Sequence, residues 1–151
     1  MRLSTKGHYG LKAMFDLAMH YGSEPIPLKT VAERQGISEH YLEQLIAVLR
    51  KIGLVKSVRG AQGGYILAKP PSEIKVGDVV RALEGPIAPL DCVSEYEPAS
   101  CEKVDYCISR DIWARVRDSI AEVLDSITLE DMCRDAQKGQ LQKTDINTDN
   151  L

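Results

Sequence analysis

The chain has 151 residues, enough for one domain core or for a small domain with an appendage. Its formal charge of −3 is unevenly spread. Residues 1–70 carry ten Lys or Arg against five Asp or Glu, a net of +5, while residues 71–151 carry nine against seventeen, a net of −8. A basic front and an acidic rear fit one part that meets nucleic acid and one that does not. The sequence holds no apolar run of the roughly 18 residues that a membrane helix needs. MRLSTKGHYG lacks the apolar stretch of a secretory signal, so the expected compartment is the cytoplasm. In that reducing setting, four cysteines read as metal ligands or reactive thiols before they read as disulfides.

Residues 5–21 are expected to be helical, capped by Ser4, with Leu11, Met14, Phe15 and Ala18 on one face. Gly22 to Pro27 breaks that helix. A second helix spans about 28–35, and Gly36 follows where a left-handed backbone is needed. Ser38 then caps a third helix, 39–52, with an apolar stripe of Leu42, Leu45, Ile46 and Leu49. Leu54 to Arg59 and Tyr65 to Ala68 read as a hairpin with Gly60, Gly63 and Gly64 between them. A short helix at 77–84 ends at Gly85-Pro86.

Residues 86–107 show no period and are expected to form a structureless loop. A long helix at 108–127 follows, with Ile112, Val116, Ile120, Val123 and Ile127 in a narrow seam close to a heptad pattern. Thr128 to Asp131 resembles a capping box and opens a short last helix. The expected fold is mostly α: a winged helix-turn-helix with a two-stranded wing and a long C-terminal dimerisation helix. Four segments follow: a DNA-binding domain at 1–85, a loop at 86–107, dimerisation and final helices at 108–137, and a disordered tail at 138–151.

Helix, tight turn, helix and Gly-rich hairpin is a DNA-reading layout. Projected at about 100° per residue, helix 39–52 sets His40, Glu43, Gln44, Ala47 and Lys51 opposite its apolar stripe. Gln44 can pair with an adenine edge and Glu43 can accept from a cytosine amino group. Lys56 and Arg59 lie on the wing, in reach of phosphates or the minor groove. Gly63 permits close approach to the sugar-phosphate. The candidate DNA contacts are thus Ser38, His40, Tyr41, Glu43, Gln44, Lys51, Lys56, Arg59 and Gly63. Tyr41 lies at the edge of the apolar stripe, where packing competes with DNA contact.

Cys92, Cys101 and Cys107 follow a C-x8-C-x5-C spacing. Thiolates suit iron–sulfur clusters and zinc. The close pair common in structural zinc sites is absent, and wider spacing suits a loop around a larger cluster. Spacing alone leaves zinc, a disulfide and inert thiols open. Cys133, beside Met132 in the last helix, reads as a buried structural thiol.

MRLSTKGHYGLKAM, ISEHYLEQLIAVLRKIGLVKSVRG with AQGGY, and a three-cysteine loop before a long helix together resemble the IscR/NsrR family of bacterial winged-helix regulators. The resemblance covers about residues 1–135. It implies a homodimer paired through the long helix on double-stranded, pseudo-palindromic operators. It implies an iron–sulfur cluster, 2Fe-2S in IscR-like members and 4Fe-4S in nitric-oxide-sensing ones, and the 2Fe-2S form is the one expected here. By position, Cys92, Cys101 and Cys107 match the three thiolate ligands, although the first gap is longer here. Arg110 stands where the best-known pattern has a His, and arginine stays protonated and cannot ligate. His8, Asp105, Glu102 and, less strongly, Cys133 are left as candidates for the fourth ligand. The family also implies that a Glu matching Glu43 helps discriminate promoter classes.

The expected function is cluster-sensing transcription control, with repression of cluster-assembly genes. Its alternative is a winged-helix regulator without a cluster, governed by thiol redox, nitric oxide or a partner protein. No nucleophile elbow, phosphate loop or C-x-x-C pair is present to point to an enzyme.

Overall fold

A computed structural model describes the backbone of residues 3–149 and the side chains of residues 3–139. Six helices and one hairpin run in the order α1 Thr5–Met19, α2 Leu28–Gln35, α3 Glu39–Lys51, β1 Val55–Val58, β2 Gly64–Leu67, α4 Val76–Glu84, α5 Ile108–Asp125 and α6 Leu129–Asp149. Single 3-10 turns lie at Pro71–Glu73 and Asp91–Val93. This is the winged helix-turn-helix with a long C-terminal helix that the sequence leads one to expect. Among the described residues, no helix is long and apolar enough to cross a membrane.

Local chemistry sets the boundaries. The Ser4 and Ser38 hydroxyls accept from the Lys6 and Tyr41 amides at 3.2 and 3.1 Å, satisfying donors at two helix starts. Gly36 ends α2 at φ +66°, a left-handed turn open to glycine at little cost, and its N–H donates to the Ala32 carbonyl. That turn aims α3 across α1 and α2. At Thr128 the expected box closes reciprocally: Thr128 N–H donates to Asp131 Oδ2 at 3.0 Å, and Asp131 N–H to Thr128 Oγ1 at 3.1 Å.

Helix α1 is central, packed against α2, α3, α4, α6 and β2. Met14, Val31, Leu42, Leu49, Val55, Ile74, Val79 and Leu129 fill the core and are essentially sealed from solvent. The α1 face differs from the expected Leu11, Met14, Phe15 and Ala18. Its buried residues are Gly7, Gly10, Ala13, Met14, Asp16, Leu17 and Ala18, while Leu11 and Phe15 stay half-buried. Small residues let α4 lie close: a Cβ at Gly10 would overlap Leu83, and one at Gly7 would crowd Glu84. Hydropathy periodicity does not register a face whose function is to be empty.

Strands β1 and β2 pair antiparallel from Val55 opposite Leu67 to Val58 opposite Gly64. Ile26 adds a bridge to Tyr65 through hydrogen bonds of 3.0 and 2.8 Å, which docks the wing on the loop between α1 and α2. A second bridge, Lys75 to Thr128, is flanked by Val76 N–H to Ile127 O at 2.8 Å and Leu129 N–H to Ile74 O at 2.9 Å. It pins the α5–α6 corner to the start of α4.

Two sequence expectations are corrected. The final helix is not short, because α6 runs from Leu129 to Asp149. The segment contains no proline, and extending a formed helix costs far less than starting one. Asn150 and Leu151 lie outside the described residues. Residues 86–107 are not structureless throughout: Asp91–Val93 forms a 3-10 turn, and Val93 is fully buried.

The wing dock yields a stability test. A Cβ at Gly64 would overlap the Ile26 carbonyl, which is backbone and cannot yield. Gly64→Ala is expected to cost about 2 kcal/mol or more in urea unfolding. Gly139→Ala, at a helical position where no described atom lies within 4 Å of an added Cβ, is expected to be neutral or to stabilise by about 0.5–1 kcal/mol.

Candidate nucleic-acid interface and cysteine loop

The polar face of α3 is uncovered. Ser38, His40, Glu43, Gln44, Ala47 and Lys51 are all exposed, while Leu42, Leu45, Ile46 and Leu49 hold the opposite face in the core. The His40 and Gln44 side chains lie one turn apart with their Nε2 atoms 3.3 Å from each other. Lys56 and Arg59 are exposed on and beside β1. Among the described residues, neither they nor Lys51 take part in an ion pair, so all three cations are available to phosphates.

Two predicted contacts have intramolecular work. The Tyr41 hydroxyl sits 2.9 Å from Thr5 Oγ1, and its ring meets Tyr9 edge-on at 6.1 Å. Tyr41 therefore ties the first turn of α3 to the start of α1. Gly63 N–H donates to the Gly60 carbonyl at 3.0 Å, and a Cβ there would overlap the Val58 carbonyl. The turn itself requires that glycine.

Sequence reasoning missed Asp16, a carboxylate buried on α1. It accepts from Arg34 Nε and NH2 at 3.1 and 2.6 Å and from Gln35 Nε2 at 2.9 Å. A charge-assisted fork thus locks the first two helices. A lone acid inside an apolar stripe was the available signal.

The three loop cysteines stand on different supports. Cys92 is half-buried in the Asp91–Val93 turn, Cys101 is exposed, and Cys107 is half-buried at the N-cap of α5. The Ser109 hydroxyl, 3.2 Å from Cys107 Sγ, and the Arg110 backbone hold that thiol below its ordinary range. Among the described residues, the buried Nε of Arg110 has no hydrogen-bond partner. Cys133 is half-buried rather than sealed, and burial pushes its thiol up. His8, Glu102 and Asp105 are exposed. Among the described residues, no three His, Cys, Asp or Glu side chains come together in a metal-binding group. The expected ligand set is therefore not assembled, and this arrangement of donors does not fit an iron–sulfur cluster. The loop is anchored at its first half, near Val93 and Glu95, while Cys101 is exposed.

That anchor is Arg81 on α4, a residue the sequence reading passed over. Its Nε and NH2 donate to Glu95 at 2.9 and 2.8 Å, and its NH1 and NH2 donate to Asp125 at 2.6 and 2.9 Å. Glu95 Oε2 also accepts from Ile87 N–H at 2.8 Å. The Arg81 guanidinium holds the Glu95 and Asp125 carboxyls below their usual range, and the two carboxylates raise Arg81 in turn. No sequence signal marks this pairing, since the partners stand 14 and 44 positions away.

Helix α5 buries none of its residues, and Ile108, Ile112 and Val123 are 84, 51 and 57% exposed. Of the seam predicted for dimerisation, Ile112, Val116 and Ile120 line one open face.

A capped reading helix beside a docked wing, with an uncovered apolar seam on α5, defines a DNA-binding protein of the homodimeric winged-helix class. A family model described as Rrf2, iron-dependent transcriptional regulator, matches residues 3–135. The chain belongs to that family of DNA-binding regulators and has the homology and fold of a regulator, not of an enzyme. It is 50% identical over 132 residues to the HTH-type transcriptional regulator CymR of Bacillus subtilis, covering 87% of this chain and 89% of the relative. Among solved structures, IscR of T. potens superposes with a TM-score of 0.77 at 56% identity, over 93% of this chain and 91% of that one. The structure of CymR, the global cysteine regulator of B. subtilis, superposes at 0.74 with 49% identity, over 89% of this chain and 97% of that one.

The Arg81 cluster gives the fold an acid-sensitive joint. Both carboxyls titrate lower folded than unfolded, so their stabilisation is complete above the ordinary values of 4.5 and 3.8 and is lost as pH falls through the depressed ones. Melting temperature is expected to drop on acidification from about pH 6 to pH 3, and less steeply in Glu95→Gln/Asp125→Asn.

Proposed function

We propose that the chain is a transcription regulator that binds pseudo-palindromic operators as a homodimer and is controlled by the thiols of its 86–107 loop without a cluster. The observation that carries the DNA reading is the wholly exposed polar face of α3 beside a wing whose cations form no ion pair among the described residues. In a dimer paired along the α5 seam, two such helices reach successive major grooves about one turn apart, roughly 34–36 Å. Gln44 and Glu43 read base edges, and Lys51, Lys56 and Arg59 neutralise phosphates.

Support for thiol control comes from the loop. Cys107 has a hydroxyl neighbour that favours its thiolate, and Cys101 is exposed. A peroxide oxidises such a thiolate to a sulfenate and leaves as water or alcohol. A second loop thiol then condenses with the sulfenic acid, forming a disulfide and releasing water. Kinship with CymR, whose structure is described as that of a global cysteine regulator, agrees with sulfur-linked input. The 56% identity with T. potens IscR favours a second reading, in which loop thiols hold an iron–sulfur cluster after rearrangement.

A duplex selected from random sequence by the protein itself provides the test. Gln44→Ala is expected to weaken binding by about 1–3 kcal/mol and relax preference at one position. Lys56→Ala is expected to weaken all sequences alike and to lower the salt slope by about one. Unchanged affinity in both would refute the interface. Anaerobic reconstitution with iron and sulfide counts separates the two inputs: no visible chromophore, with peroxide-dependent DNA affinity lost in Cys107→Ser, is the outcome expected of thiol control.

A further inference from the structure

We propose that Arg81 is the positioning residue through which the state of the cysteine loop reaches the recognition helix. The inference rests on the chain being a DNA-binding regulator, and it holds whichever sulfur chemistry the loop carries.

Arg81 joins three elements at one guanidinium. It belongs to α4, grips Glu95 of the loop with two hydrogen bonds and grips Asp125 of α5 with two more. Its side chain is 17% exposed, so these bonds form in surroundings that strengthen them. The planar fork matters, because a lysine cannot span two carboxylates with four directed bonds. Gly77, one turn earlier on α4, is kept clear for the same purpose: a Cβ there would overlap Asp125 and Arg81.

The loop end of this joint is close to a thiol. Glu95 lies three residues beyond Cys92, across Val93 and Ser94, both buried. A rearrangement that draws Cys92 toward the other loop cysteines pulls directly on Glu95. Once Glu95 departs, Arg81 keeps Asp125 alone and Ile87 N–H loses its acceptor.

The last turn of α4, which carries Arg81, also touches the DNA reader. Leu83 and Glu84 rest on the glycine face of α1. Glu84 accepts from Gly7 N–H at 2.8 Å and from the Ser4 hydroxyl. The next residue of that turn, Thr5, meets Tyr41 in the first turn of α3. Loop, Glu95, Arg81, α4, the start of α1 and the start of α3 thus form one unbroken series of contacts. The structure shows Glu95 seated, and in the proposed second state Glu95 is released.

A double-mutant cycle on the reduced full-length protein tests this, reading operator affinity by fluorescence anisotropy and amide exchange by mass spectrometry. The duplex is the one selected above. Glu95→Gln is expected to weaken binding about fivefold or more and to speed exchange in segments 5–10 and 76–84. In an Arg81→Met background, adding Glu95→Gln is expected to change neither readout further. Arg81→Lys, which keeps the charge and loses the fork, replaces Arg81→Met if that variant fails to fold. Arg117→Leu serves as the control. Its guanidinium holds the Val93 carbonyl at 3.2 Å from α5, so its loss loosens the loop while the Arg81 fork stays intact, and operator affinity is expected to stay unchanged. Additive effects of the two substitutions, or unaltered exchange in both segments, overturn the proposal. A chain that binds no selected duplex refutes the DNA reading instead, and amide exchange still decides the coupling.

Discussion

The close approach of α4 to α1 is the constraint from which the rest of the structure follows. Helix α1 has to accept α2, α3, α4, α6 and the wing around one cylinder. Large side chains on every face would hold those elements too far out to share a core. Gly7 and Gly10 remove that obstacle on the α4 side, and Leu83 and Glu84 fill the space they leave. Glycine in a helix costs about 0.5–1 kcal/mol each relative to alanine. The burial of Leu17, Ile74, Val79 and Leu129 that close packing allows offsets that cost.

Two charge clusters then fix what packing leaves free to slide. Asp16 with Arg34 and Gln35 holds α2 to α1, and through the Gly36 turn it settles the direction of α3. Arg81 with Glu95 and Asp125 holds the loop and α5 to α4. Apolar contact is nondirectional, whereas a guanidinium fork accepts one orientation of its carboxylate. The reading surface of α3 therefore owes its attitude in part to the buried Asp16 carboxylate on α1. The acidic rear of the chain is also more than a solvated surface, since two of its carboxylates act as structural acceptors.

The cysteine loop shows the same division between anchored and free. Its first half is fastened through Val93, Glu95 and the Ile87 amide, while Cys101 stays exposed. The apolar seam on α5 is left for a second copy, which would cover Ile112 and Val123 that this chain alone does not.

Much of this was determined by the sequence alone. Caps at Ser4, Ser38 and Thr128, the left-handed turn at Gly36 and the stripe Leu42–Leu45–Ile46–Leu49 each act within a few residues, so spacing and residue type reveal them. The exposed polar face of α3 and the cations of the wing followed from those elements. Only the tertiary structure decided the rest. The empty face of α1, the binding of Tyr41 to Thr5 and the Arg81 fork depend on partners distant along the chain. Periodicity reports which face of a helix avoids water, but it carries no record of which distant residue that face will meet.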